Sequence, residues 1–455
     1  MTALICIIGA LAVVTAMWLA TQLIRPIAWS DVGFVSVLSL AVAYLFISPV
    51  GALVGRSLPG VELRAGRYVL FTVYAYGLFL IPLIVTYAWW VSRADPTDTS
   101  RTWVPSSGSS LPVLALIGAS VVIRPLIATL FDLWRLRIGE TVAERIVAVP
   151  TMFYAPFRAL ADLQYPLVVL GIVVVAAEPN QRLRRIGTAV VGLHVLESLG
   201  FAVLNSRFSV LYLALAAAIG LAQVHKPAYL VTRRTVRRLA AAGTGVYLLG
   251  IGVLATRPAS SQGGLNILGD NQGLNRFNCA DLIAQTRVLT FGQTPDPGIW
   301  NGYVWTLRRF IDPAGFNEFR LSLQTTAKSQ IAARFLGERQ LDYYSCVGTD
   351  AIGGLGPLGL LVAAAVIATA LAGSAWLFRR STPMAVAAGS WLLFHVAVVD
   401  QEFGSLILSW TLKLPALAVM MFAGYLCGGR VVVTERTSSG APMPDQRPLP
   451  ARSLP

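Results

Sequence analysis

The chain has 455 residues, of which 55% are hydrophobic and only 13% charged, with a mean hydropathy of +0.65. A soluble globular protein carries roughly 25% charged residues, so an ordinary cytosolic enzyme is not expected, and a disordered or collagen-like chain is excluded. The net charge of +14 reads as cytoplasmic anchoring rather than nucleic-acid binding, because the basic residues cluster at the ends of apolar runs.

Apolar runs lie at about 3–24, 33–54, 68–91, 111–131, 165–178, 186–204, 208–224, 239–256, 351–377, 384–400 and 404–426. A membrane helix needs roughly 20 apolar residues, so each is a candidate crossing. Basic residues then mark the inner loops: Arg56, Arg64 and Arg67; Arg135 and Arg137; Arg182, Arg184 and Arg185; Lys226, Arg233, Arg234, Arg237 and Arg238; and Arg379 and Arg380. With eleven crossings, the loops at Arg135 and Arg182 cannot both be inside. A further, weakly apolar crossing at about 140–161, carrying Arg145 and Arg158, repairs this and has to sit inside the bundle. The expected architecture is therefore an all-α polytopic membrane protein of about twelve helices with both termini cytoplasmic. It divides into helices 1–9 over 1–256, an extracytoplasmic loop over 257–349, helices 10–12 over 350–427, and a Pro/Ser-rich disordered inner tail over 428–455. Residues 92–110 and 401–403 are short outer loops. A cleaved signal peptide is not expected, since no positive charge precedes the first apolar run.

Several ionisable residues fall within crossings, where they are costly and tend to face a cavity or a partner: Arg124, Arg158, His194, Glu197, His395 and Lys413. His194 and Glu197 stand at i, i+3 and can touch on one helix face, as a staple or as part of a cavity. Arg207 sits in the tight outer turn of LNSRFSV, against the positive-inside preference. A buried anionic ligand offsets that cost; snorkelling to the interface is the alternative.

The 257–349 segment opens with a Gly/Asn/Ser-rich stretch and continues as short helices. In NRFNCADLIAQTR, Arg276 and Arg287 are eleven residues apart, about three turns, and share a face if the helix reaches back that far. GIWNGYVWTLRRF ends in Arg308 and Arg309. Guanidinium holds phosphate oxygens bidentately, so an Arg-lined outer cavity suits a lipid-linked diphosphate; the bland reading is that these arginines are solvated or paired with Asp281, Asp296, Asp312 and Glu318. Cys279 and Cys346 lie in the same loop, either as a disulfide or as two free thiols. The re-entry TDAIGGLGPLGLL places Asp350 ahead of Gly353, Gly354, Gly356 and Gly359, for close packing or for an anion at the helix start. No nucleotide-binding glycine motif, zinc-protease motif or Cys/His cluster occurs, and RPIAWSD in the first outer loop holds a lone Asp31, so no cofactor or metal is expected.

The twelve-helix layout, the single large late loop, the turn Asn205-Ser206-Arg207-Phe208, the segment NRFNCADLIAQTR and the Gly-rich re-entry together resemble bacterial oligosaccharide repeat-unit polymerases of the O-antigen type. The resemblance implies a metal-independent glycosyltransferase of the bacterial inner membrane. It would act at the outer face on polyprenyl-diphosphate-linked glycans, with a chain-length-regulating membrane protein as a candidate partner and no nucleic acid. It implies Arg207 as a diphosphate ligand; Arg276, Arg287, Arg308 and Arg309 are further substrate-binding candidates, and Asp281, Glu197 and Asp350 are candidates for the base. The related O-antigen ligases use a histidine in the large outer loop; here the only histidines, His194, His225 and His395, lie in or beside helices, which favours polymerase over ligase. A transporter or flippase of a lipid-linked saccharide is the rival reading, weakened by the lack of an internal repeat.

Overall fold

The computed structural model describes residues 2–23, 72–93, 99–131, 133, 149–205, 207–225, 351–352, 355–396 and 413–435. Within these lie helices α1 (Thr2–Leu23), α2 (Ile81–Arg93, preceded by a π-helical stretch Thr72–Leu80), α3 (Leu111–Leu130), α4 (Thr151–Ala177), α5 (Gln181–Asn205), α6 (Arg207–His225), α7 (Pro357–Arg380), α8 (Pro383–Val396) and α9 (Leu414–Leu426). Two strands, β1 (Thr99–Pro105) and β2 (Gly429–Glu435), complete the described part.

Three segments, Leu111–Leu130, Met152–Ala177 and Pro357–Arg380, are long and apolar enough to cross a membrane. The distribution of polarity is that of a helical membrane protein. Val122, Leu126, Leu130, Leu196 and Phe422 are more than half exposed, while Arg124, His194, Ser198, Ser374 and His395 are buried. Water would punish that arrangement and lipid rewards it.

Helix α4 is the hub, packing against α3, α5, α6, α8 and α9. Small residues set the register: Gly171 of α4 lies under Ile117 and Val191, Gly187 of α5 under Val175, and Gly220 of α6 against Ile172. Together with the Phe131–Phe153 and Phe157–Phe201 ring contacts, these make α3 and α5 antiparallel to α4 and α6 parallel to it. Helix α8 runs antiparallel to α7, with Ser374 Oγ donating to the Gly389 carbonyl at 2.7 Å, and α9 ends where α8 begins, Gly424 abutting Pro383 and Met384. Helices α3, α5 and α8 thus run one way between two ends, and α4, α6, α7 and α9 the other.

One end carries the sheet. β1 pairs antiparallel with β2, Thr99 opposite Glu435 and Pro105 opposite Gly429, and Ser106 N–H donates to the Gly428 carbonyl at 3.2 Å. The same end holds the α4–α5 turn. There Pro179 stops α4, and Asn180 Oδ1 accepts from the Arg182 and Leu183 N–H groups at 3.0 and 3.3 Å, an N-cap for α5. It also gathers Arg182, Arg184, Arg185, Arg379 and Arg380. Three arginines at the start of α5 oppose the helix dipole, so helix stability is not what puts them there.

Two expectations are corrected. Residues 140–161 and 165–178 are not two crossings: α4 runs unbroken from Thr151 to Ala177. Asp162-Leu163-Gln164 looks like a polar break in sequence, but both polar side chains are satisfied from neighbouring helices, so the helix continues. Likewise, residues 99–110 are not across the membrane from 429–435, since they form one sheet, and residues 429–435 are strand rather than disordered tail. The 257–349 loop lies outside the described residues.

Candidate functional site

Arg124, Arg158, His194, Glu197, His395 and Lys413 lie toward the end opposite the sheet, hereafter the distal end, and they assemble around α4 in two groups. In the first, Arg124 of α3 reaches Glu197 of α5, its Nη1 lying 3.1 Å from Oε1 and donating to Oε2 at 3.4 Å. Its Nη2 donates to Gln164 Oε1 at 3.1 Å, and Gln164 Nε2 donates to the Ser198 carbonyl at 3.2 Å. His194 places Nε2 3.2 Å from the Gln164 carbonyl and Nδ1 3.3 Å from Glu197 Oε2. The Arg124 guanidinium also lies over the Phe201 ring, 4.3 Å from its centre. Arg124 and Glu197 are 3% and 6% exposed, so the pair is desolvated and depends on these partners; Arg124 Nε has no hydrogen-bond partner among the described residues.

The second group starts with Arg158 and Asp162, one turn apart on α4, with Nε 3.5 Å from Oδ1. Lys413, which precedes α9, sits 3.6 Å from the same carboxylate oxygen. Its Nζ lies 3.1 Å from His395 Nδ1 on α8. The His395 ring rests 4.9 Å from that of Trp391. Tyr165 packs on Phe394 and Tyr212 and ties α4 to α8 and α6.

The sheet end is held differently. Glu178, which follows α4, accepts from the Gly108 and Ser110 N–H groups, from the Ser110 hydroxyl and from the Asn180 N–H. Its carboxylate therefore caps the start of α3 from another helix. Burial pushes its pKa up, but the hydrogen bonds from Ser110, Asn180 and Gly108 outweigh this and leave it below the usual carboxylate range.

Of the residues singled out from sequence, Glu197 is in the first group, committed to Arg124. Arg207 is the first residue of α6, at the distal end. Arg276, Asp281, Arg287, Arg308, Arg309, Asp350, Cys279 and Cys346 lie outside the described residues. The chain leaves the long loop at the distal end, where Gly356 takes φ 64° before α7 and Gly359 meets the Ala351 carbonyl, an approach that no side chain would allow. Gly356 and Gly359 thus serve backbone conformation and packing, and Gly353 and Gly354 lie outside the described residues. Sequence reasoning missed Asp162, Gln164 and Trp391. The i, i+4 spacing of Arg158 and Asp162 was the available signal for Asp162. Among the described residues no group of His, Cys, Asp and Glu could hold a metal ion. No family model, no curated protein and no solved structure matches the chain.

Proposed function

We propose that the protein is a glycosyltransferase of the bacterial inner membrane that polymerises polyprenyl-diphosphate-linked oligosaccharide repeat units, with its site at the distal end, facing outward. One observation carries the reading. The start of α6 at Arg207, the return of the 257–349 segment and both buried ionic groups share one end, and the arginines of α5 and α7 crowd the other. The arginines of α5 and α7 favour a cytoplasmic sheet end; Arg135 and Arg137, read from the sequence as marking an inner loop, would then lie on the outer side.

In the proposed step, the hydroxyl oxygen of an incoming lipid-linked repeat unit attacks the anomeric carbon of the growing glycan. The new glycosidic C–O bond forms as the old C–O bond to diphosphate breaks, and polyprenyl diphosphate leaves with the electron pair. Arg207, Arg276 and Arg287, with Arg308 and Arg309 behind them, stabilise the charge on the departing diphosphate. The hydroxyl proton passes to a carboxylate. Glu197 already serves Arg124, so Asp281 and Asp350 are the remaining candidates. A metal ion has no part in this step.

Two other readings have a specific footing. The linked Asp162, Lys413 and His395 would suit a transporter of a lipid-linked saccharide, and His395, one residue from the end of α8, could serve a ligase-type transfer. Purified protein mixed with polyprenyl-diphosphate-linked repeat units should give a ladder of longer lipid-linked products, insensitive to chelator. A single product on a different acceptor would indicate a ligase. No new product, with saccharide carried across a vesicle membrane, would indicate a transporter.

A further inference from the structure

The two buried groups differ in charge balance. Around Arg124 the guanidinium is matched by a carboxylate and an amide oxygen. Around Arg158 the balance is reversed: two cations, Arg158 and Lys413, share the single carboxylate of Asp162. Arg158 meets it through Nε, which leaves the Nη1/Nη2 fork open, and its side chain is 56% exposed while Asp162 is 12% exposed. Lys413 Nζ can only donate, so His395 Nδ1 accepts and Nε2 carries the remaining ring proton. Among the described residues that Nε2 has no close hydrogen-bond partner, and neither does Trp391 Nε1, although the two residues are 5% and 2% exposed. The unused groups of Arg158, Lys413, His395 and Trp391 are donors, and the local charge is one positive in excess. Buried donors without partners are rare, and an exposed guanidinium in an apolar helix exterior is costly against lipid. Both facts call for the same thing, an anion rich in acceptor oxygens.

We propose that Arg158, backed by Asp162, is a diphosphate-binding residue, and that Lys413, His395 and Trp391 complete the donor set around the bound group. The proposal rests on the reading of a lipid-linked diphosphate as substrate and adds a second cation to Arg207 at the same end. Asp162 acts as a positioning residue: it fixes Nε so that the Nη fork meets two phosphate oxygens.

The test is calorimetric titration of the detergent-solubilised full-length protein with geranylgeranyl diphosphate, with geranylgeraniol as the neutral control and inorganic pyrophosphate as a third titrant. Wild-type protein should bind the prenyl diphosphate and not the alcohol. Arg158→Lys keeps a charge opposite Asp162 but lacks the fork, and should bind at least about tenfold more weakly with an unchanged melting temperature. Trp391→Phe keeps the ring and loses the donor, and should weaken binding a few-fold. Pyrophosphate binding as tightly as the prenyl form would support the site and identify a free diphosphate as its ligand. Wild-type affinity in both variants would overturn the assignment while leaving the substrate reading intact. Failure of the wild type to bind either diphosphate would overturn both.

Discussion

Glu178 and Asp162 belong to the same stretch of chain, one just past the end of α4 and one near its middle, and both are shielded carboxylates. Glu178 is surrounded by neutral donors, three backbone N–H groups and a hydroxyl, from the start of α3 and from its own turn. Asp162 is held by charged side chains, Arg158 on its own helix and Lys413 before α9. Neutral donors in fixed backbone make a rigid cap. Long charged side chains shared unequally leave atoms over, and those atoms are what a ligand can use. On the proposed reading, the sheet end holds and the distal end binds.

Substitutions at each end can break this contrast. The largest effect is expected on activity: Arg207→Ala and Arg276→Ala should abolish long glycan chains at normal protein levels, and Arg207→Lys should restore little, since a point charge does not replace a fork. Unchanged chain-length ladders in the two alanine variants would remove both residues from the site. The next largest is on stability. Arg124→Ala strands Glu197 in the bundle and should cost about 3–5 kcal/mol, read as a fall in melting temperature in detergent. Replacing Arg124 and Glu197 together by Leu should recover most of it; a double variant as unstable as the single would show that the pair does more than neutralise itself. Gly359→Ala drives a methyl into the Ala351 carbonyl and should cost about 1–3 kcal/mol.

Glu178→Gln should have the smallest effect, about 1–2 kcal/mol at neutral pH, and a distinctive pH dependence. Because the folded pKa of Glu178 lies below the ordinary value, its contribution is fully present above the ordinary carboxylate range and is lost as pH falls through the depressed folded value. The difference in melting temperature between wild type and Glu178→Gln should shrink on acidification, and a constant difference would contradict the assigned state.

The helices were legible in the sequence because lipid-facing apolar runs are long and plain; α3, α5, α6 and α7 fall close to the expected spans. The break expected within α4 was not real, because a window of sequence counts Asp162 and Gln164 as polar without seeing that Lys413 and Arg124, distant in the chain, satisfy them. The β1–β2 pairing joins segments more than 300 residues apart, and nothing local in TSRTWVP announces GRVVVTE as its partner. Arg124, Arg158, His194, Glu197, His395 and Lys413 were visible as anomalies and Asp162 was not; which pairs with which depends on register between helices, and that is set by close contacts such as Gly171 under Ile117 and Val191.

The opposition of the two ends can be tested most directly by labelling from outside. In a background with Cys6, Cys279 and Cys346 replaced by Ser, Cys427 remains but is unreactive, its thiol buried, bonded to the Ala423 carbonyl and pushed up to about 11 by burial. A single cysteine is then introduced either at Ser206, between Asn205 of α5 and Arg207 of α6, or at Gln181, at the sheet-end start of α5. With a membrane-impermeant maleimide on intact cells, Ser206→Cys should be modified at once and Gln181→Cys only after permeabilisation. Modification of Gln181→Cys in intact cells, with Ser206→Cys protected until lysis, would place the distal end in the cytosol and contradict the account.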